Sequence, residues 1–400
     1  MAIQVNETHH IKVWHDDFWK LNVANFLMAM AVYMLVALLP DWFDGYVELS
    51  GFQRASAMGV YGVGVYLFGP VCSYLIQRYR RNKVCILSML LVAASMLGLA
   101  YLSENMVEHN LLRYAFPIVL GMRFLLGAFF GLAYMVLNST LIVDCCDTTQ
   151  RTLANVVSAW SYRLAVVAGP LFGFVLERES GFLNAVYVAA FFCLLSVGIL
   201  SSVTFPFKAP DDSLHVFSLD RFFRFSCMPL VVATFAVAAL LGMLMMTATG
   251  TEVYLFLFAG VLASLAIQKF VYTGKCRVKT TVLCFFLMLG SSVAAFCGSQ
   301  NVPLAELSSL VLGFSMSSVL ANLHLLFIQT ADHCQRGTSQ STFILSFESG
   351  FSLGMFLALL PYVAVQFHLV GISATLSIVS ALAFLWVARK GNTTSSKNVL

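Results

Sequence analysis

Twelve apolar runs alternate with short polar segments along the chain, and each is long enough for the about 20 helical residues that a bilayer core requires. They lie at roughly 18–39, 55–77, 84–103, 114–143, 153–176, 183–205, 229–248, 253–274, 280–298, 304–330, 338–366 and 369–388. The runs are apolar on all sides instead of alternating, which argues for helices over barrel strands. The pattern predicts an all-α integral membrane protein with twelve transmembrane helices. The first run follows a polar stretch carrying Glu7, Asp16 and Asp17 and is too long for a signal-peptide core, so it reads as an uncleaved first span.

Composition agrees with that reading. Of 400 residues 60% are hydrophobic and only 10% are charged, against about 25% in a soluble domain. The placement of the charges adds an orientation. With the N-terminus in the cytoplasm, eighteen Lys and Arg fall in cytoplasmic segments. Only Arg54, Arg113 and Arg178 fall outside. This bias predicts an even span count and both termini in the cytoplasm, in a plasma (inner) membrane. The longest polar stretch, 206–228, separates an N-terminal six-helix half, 1–205, from a C-terminal half, 229–400, that ends in a short cytoplasmic tail. Ser218 to Phe225 mixes aromatic and basic residues, which suits a segment lying on the membrane face.

The halves repeat. Asp147-Thr-Thr-Gln-Arg151 precedes the fifth span and Asp332-His-Cys-Gln-Arg336 the eleventh, both reading Asp-x-x-Gln-Arg. In the same register Tyr162 falls on Phe347, Arg163 on Glu348 and Gly169 on Gly354. Parallel repeats of this kind are a transporter architecture, with the substrate site near the midplane between the halves.

The loop after the second span, Ser73-Tyr-Leu-Ile-Gln77-Arg78-Tyr-Arg80-Arg81-Asn-Lys83, resembles the signature loop of the major facilitator superfamily of secondary transporters, bacterial type. Arg78, Arg81 and Lys83 keep its basic pattern, while Gln77 replaces its Asp, which helps latch the family's halves together. Arg123-x-x-x-Gly127 in the fourth span resembles a family pattern whose Arg is associated with proton coupling. Gly169-Pro170-x-x-Gly173 in the fifth resembles the end of a motif typical of the family's exporters, without its upstream glycines. The resemblance implies two pseudo-symmetric six-helix halves and transport by alternating access.

Ionisable residues inside spans are costly, about 2.5–3.5 kcal/mol each, and are functional by default. Three stand out: Arg123, Arg163 and Glu348. The last two each lie twelve residues beyond the Arg of their repeat, roughly 18 Å of helical rise and so near mid-bilayer. Glu348 is the expected proton-coupling carboxylate and Arg163 its electrostatic counterpart. A static salt bridge that orders packing is the alternative. Asn25, Tyr33, Asn138, Trp160, Tyr162 and Phe347 are candidate cavity residues, or packing residues, and Asp147, Arg151, Asp332 and Arg336 are candidate gating residues. His324, low in the tenth span, reads more as a packing residue than as a switch. Ten cysteines form no Cys-x-x-Cys pair, and His9, His10 and His15 have no metal spacing. No nucleotide loop or hydrolase motif is present.

The sequence therefore predicts a secondary transporter, not an enzyme. It would move a small organic molecule, use protons or another ion, need no cofactor or nucleic acid, and work as a monomer, since one chain holds both halves. Efflux by antiport is favoured by the Gly-Pro motif. Uptake by symport, and a non-transporting receptor of the same fold, are the alternatives.

Overall fold

The computed structural model describes residues 14–105, 111–146, 150–205, 216–219, 222–247, 250–271, 278–297, 301–331, 335–363 and 366–397. These residues form twelve spanning helices and, among those described, no strand. In the first half α1 is Asp16–Gly45, α2 is Gly51–Leu67 continued by Gly69–Arg78, and α3 is Arg81–Asn105. Helix α4 is Ala115–Val136, carried through a π turn at Leu137–Leu141 to Asp144, α5 is Arg151–Ser180 and α6 is Phe182–Ser201. In the second half α7 is Met228–Thr247, α8 is Thr251–Val271, α9 is Val278–Cys297 and α10 is Val302–Gln329. Helix α11 is Arg336–Leu359 and α12 is Gln366–Lys397.

Local chemistry sets several of these ends. Helix α2 starts on a capping box, in which Ser50 Oγ accepts from the Gln53 amide and Gln53 reaches back to the Ser50 amide. It bends by 43° at Phe68, just before Gly69-Pro70, where proline cannot donate into the helical ladder. The sequence predicts an eleventh span reaching 366, but α11 stops at Leu359. Pro361 follows and biases its predecessor out of the helical region. Helices α5 and α11 begin at Arg151 and Arg336, the last residues of the two repeat motifs.

The helices pack with pseudo-two-fold regularity. In the first half α1 packs on α5 and α6, α2 on α4, and α3 on α4 and α6. The same pairs recur six helices later: α7 on α11 and α12, α8 on α10, and α9 on α10 and α12. The halves meet along α2 with α11 and, symmetrically, α8 with α5. Burial sorts the spans by role. The most apolar stretch of α1 is 78% buried and that of α11 72%, against 22% for α12, which leaves α12 to face lipid.

Glycines permit the closest crossings and fix the equivalence of positions. A Cβ on Gly64 would fall on the backbone of Phe124 and Ala128, and one on Gly260 on Leu310 and Phe314. Gly127 meets the Tyr61 carbonyl as Gly313 meets that of Leu257. Tyr61 and Leu257 thus hold matching places in the two halves.

The end of the inter-half connection is moored to both halves. The Ser218 amide donates to the Pro70 carbonyl at 3.3 Å. Phe222 and Phe223 are buried, with Phe222 against Gly69 at the bend of α2. The Arg224 guanidinium donates to the carbonyl of Thr330, the residue that caps the end of α10, at 2.6 Å and to Ser339 Oγ of α11 at 3.2 Å.

Candidate functional site

The centre of the molecule holds a carboxyl group caged by phenols. Glu348 of α11 is fully buried. Tyr33 Oη of α1 donates to Glu348 Oε1 at 3.0 Å, and Tyr61 Oη of α2 donates to Oε2 at 3.0 Å. Tyr162 Oη of α5 also donates to Oε1, and the Tyr33 and Tyr162 hydroxyls lie 2.7 Å apart. All three tyrosines belong to the first half, so the cage spans the junction of the halves. Tyr134 of α4 stacks on Tyr162 with ring centroids 4.5 Å apart, and Phe351 meets Tyr33 edge-on. The Arg123 guanidinium lies 5.1 Å above the Tyr61 ring, a cation–π contact, and its Nε donates to the Ala57 carbonyl at 3.3 Å.

Arg163 makes the reciprocal crossing. From α5 it reaches into the second half, where Nη1 donates to the Ser317 carbonyl at 2.8 Å and Nη2 to Gln268 Oε1 at 3.1 Å. Its Nε donates to the Ala159 carbonyl of its own helix at 3.2 Å. Trp160 Nε1 donates to the same Gln268 oxygen at 3.1 Å. Arg163 and Glu348 make no direct contact, so the static salt bridge that stood as the alternative reading is absent. The carboxyl is filled by phenols and the guanidinium by neutral oxygens.

Beside Arg163 is a void of about 20 Å³ lined by Leu241, Leu257, Leu320 and Phe347 among others. It is the symmetry mate of the cage. Leu257 matches Tyr61, and Leu320 matches Tyr134, each seven residues beyond its glycine, Gly313 or Gly127. Phe347 matches Tyr162 in the repeat register. The phenolic pocket of one half is thus an apolar pocket in the other.

A third polar cluster lies between α1, α4 and α5. Asn138 Nδ2 donates to Asn25 Oδ1 at 2.9 Å, Asn25 Nδ2 to Ser158 Oγ at 3.4 Å, and Ser158 Oγ to Asn138 Oδ1. Asn138 sits in the π turn of α4, a device that re-aims side chains inside a helix and recurs at functional sites. His324 is buried on α10 and bonds Gln340 Oε1 of α11 at 2.6 Å.

A bundle of twelve helices in two matched halves, with charged residues at their junction, has the architecture of a secondary transporter. The sequence model of the Major Facilitator Superfamily matches residues 21–267, more than half of the chain. The chain belongs to the major facilitator superfamily. That membership makes it a membrane transporter, not an enzyme. Solved structures share the fold. The human organic anion transporter TETRAN is 17% identical with a TM-score of 0.64, covering 92% of this chain and 98% of that one. The E. coli fucose:proton symporter FucP is 13% identical with a TM-score of 0.63, covering 92% and 97%. A bacterial homologue of the iron transporter ferroportin, in an outward-facing state, is 13% identical with a TM-score of 0.65, covering 94% and 100%. Identities this low carry the fold alone. No curated protein sequence matches the chain.

Within this superfamily chain the signature residues fall as follows. Arg81 forms an ion pair with Asp144 at the end of α4, a contact inside the first half. Arg78 and Lys83 are exposed beside it, and Gln77 is partly buried. Gly169 and Gly173 let α5 close on α1: a Cβ at Gly169 would meet the Met30 carbonyl at 2.8 Å, and one at Gly173 the Met34 carbonyl at 2.7 Å. Pro170 lies inside α5 without ending it. Asp147 and Asp332 lie outside the described residues. Of the expected cavity residues, Tyr33 and Tyr162 touch Glu348, Phe347 lines the void, Trp160 shares Gln268 with Arg163, and Asn25 and Asn138 form their own cluster. Sequence reading missed Tyr61, Tyr134, Gln268 and Ser317. Tyr61 carries one usable signal, a polar ring among the glycines of α2.

Proposed function

We propose that the protein is a secondary active transporter that moves a small organic solute by alternating access, with Glu348 taking up and releasing the coupling proton. The observation that carries this reading is the proton count of the cage. Four oxygen–oxygen contacts join Glu348, Tyr33, Tyr61 and Tyr162. The three phenols supply three protons, and a carboxylate supplies none. A protonated Glu348 supplies the fourth, and each contact has its own hydrogen when Tyr33 or Tyr162 accepts from the carboxyl and donates to the other phenol. Losing that proton leaves the Tyr33–Tyr162 contact inside the first half without a donor and makes the three phenol bonds that cross between the halves charge-assisted, so it changes the strength of the junction. Protonation is thereby tied to how the halves sit against each other, which is what coupling requires.

The moving bodies in this reading are residues 1–205 and 229–400, joined by 206–228, within one monomeric chain. The excess of Lys and Arg in one set of loops supports cytoplasmic termini in a plasma (inner) membrane. The Gly169-Pro170-x-x-Gly173 resemblance supports export by proton antiport.

Purified protein in liposomes under an imposed pH gradient tests the reading. Internal pH is followed while candidate solutes are added. The wild type is expected to show solute-dependent proton movement, outward solute against inward protons. Glu348→Gln is expected to abolish proton movement while solute exchange at equal concentrations on both sides persists. Proton movement unchanged in Glu348→Gln would remove the residue from coupling, and proton and solute moving in the same direction would replace export by symport.

A further inference from the structure

We propose that the transported solute is a small organic anion, a carboxylate with an apolar body, and that Arg163 binds its charge. The first argument is a charge count. Among the described residues the Asp, Glu, Lys and Arg side chains less than a tenth exposed are Arg123, Arg163 and Glu348. Two guanidiniums therefore face at most one carboxylate, and the core is cationic whichever form Glu348 takes. A charge left in a low-dielectric interior is costly unless paired, and an anionic ligand supplies the pair.

Geometry selects Arg163 over Arg123. The Glu348 oxygens are occupied by Tyr33, Tyr61 and Tyr162 and do not serve either guanidinium. Arg123 is committed to the face of Tyr61 and the Ala57 carbonyl, inside the first half. Arg163 has only neutral acceptors, and two of them, Ser317 and Gln268, belong to the opposite half. When the halves part, those two bonds break and the planar guanidinium fork is freed. That fork matches a carboxylate through two parallel hydrogen bonds.

The void explains the rest of the solute. It adjoins Arg163 and is walled by Leu241, Leu257, Leu320 and Phe347. At about 20 Å³ it has room for one water in this closed arrangement, so a solute body enters only as the same parting widens it. An apolar wall beside a single cation suits an apolar acid better than a sugar or a zwitterion. The inference rests on the transporter assignment and not on proton coupling, because Glu348 and Arg163 share no partner.

Ligand-dependent thermal unfolding of the full-length protein in detergent tests it, with benzoate, phenylacetate and hexanoate as probes and benzamide, phenylacetamide and hexylamine as matched controls. At least one carboxylate is expected to raise the unfolding temperature saturably, and its control is not. Arg163→Gln is expected to lose about tenfold or more in affinity for that carboxylate, and Arg163→Lys to fall between. Glu348→Gln is expected to keep carboxylate binding, so that loss of coupling and loss of anion recognition are read separately. The comparison of probes on the wild type needs no variant to fold. The proposal is overturned if no carboxylate stabilises the protein, if the amides or the amine do so equally, or if a folded Arg163→Gln binds the carboxylate as well as wild type.

Discussion

A phenol has one proton to give, and that limits what three of them can do around one carboxyl group. Tyr33 contacts both Glu348 and Tyr162, yet it donates to only one of them at a time. Tyr61 is simpler, with a single bond to Oε2 across the junction of the halves. Removing it costs about 0.5–1.5 kcal/mol of net bonding. Tyr61→Phe is therefore expected to shift the population away from the closed junction by a few-fold to about tenfold, read as faster labelling of a single cysteine placed in the α2–α11 groove. Unchanged labelling would mean that the cage does not contribute to closure. The two charged residues were legible in the sequence because the repeat register aligns Arg163 with Glu348. Their partners were not. Tyr61 and Gln268 come from helices far away in the chain, and side-chain direction decides whom they meet. Opposite charges at matching positions suggested an ion pair, but the pseudo-two-fold sends each side chain into the other half, to tyrosines in one case and to Gln268 and Ser317 in the other.

At the scale of helices, close approach is the controlling quantity. Gly354 of α11 sits against the Ala239 carbonyl of α7, where an added Cβ has no space. Gly198 of α6 has nothing within 4 Å. Gly354→Ala is expected to cost about 1–3 kcal/mol through overpacking, lowering the unfolding temperature by several degrees. Gly198→Ala is expected to leave it unchanged or slightly higher, since alanine favours the helix by up to about 1 kcal/mol. Equal behaviour of the two variants would refute the packing argument. The twelve helices themselves were readable from hydropathy, because a bilayer leaves few alternatives to an apolar run of this length. Their ends were less so. Helix α1 continues through Pro40 to Gly45, and α11 stops short at Leu359, because local backbone chemistry and not hydropathy sets a terminus. The π turn in α4 had no visible signal, since an extra residue in a helical turn leaves composition unchanged.

For the molecule as a whole, the two symmetric seams, α2 with α11 and α5 with α8, have to open in some order for a central site to be reached from each side. At the first seam the place of a Cβ on Gly59 lies 3.1 Å from that of Phe356, close enough for a disulfide after a small adjustment. Gly59→Cys combined with Phe356→Cys is expected to lose transport when oxidised and to recover it on reduction. Transport by the crosslinked protein would show that this end of the seam does not part during the cycle.

The moored stretch from Ser218 to Arg224 bears on the amplitude of that parting. One end is hydrogen-bonded to the elbow of α2 and the other to the start of α11, so while those bonds hold the two elements draw apart on that face no further than the segment between them pays out. The connector is thus more than a covalent link between halves: like a stay on a casement window, it gives the opening on its side a maximum width, and the stroke of the machine becomes a matter of how many residues lie between two anchors.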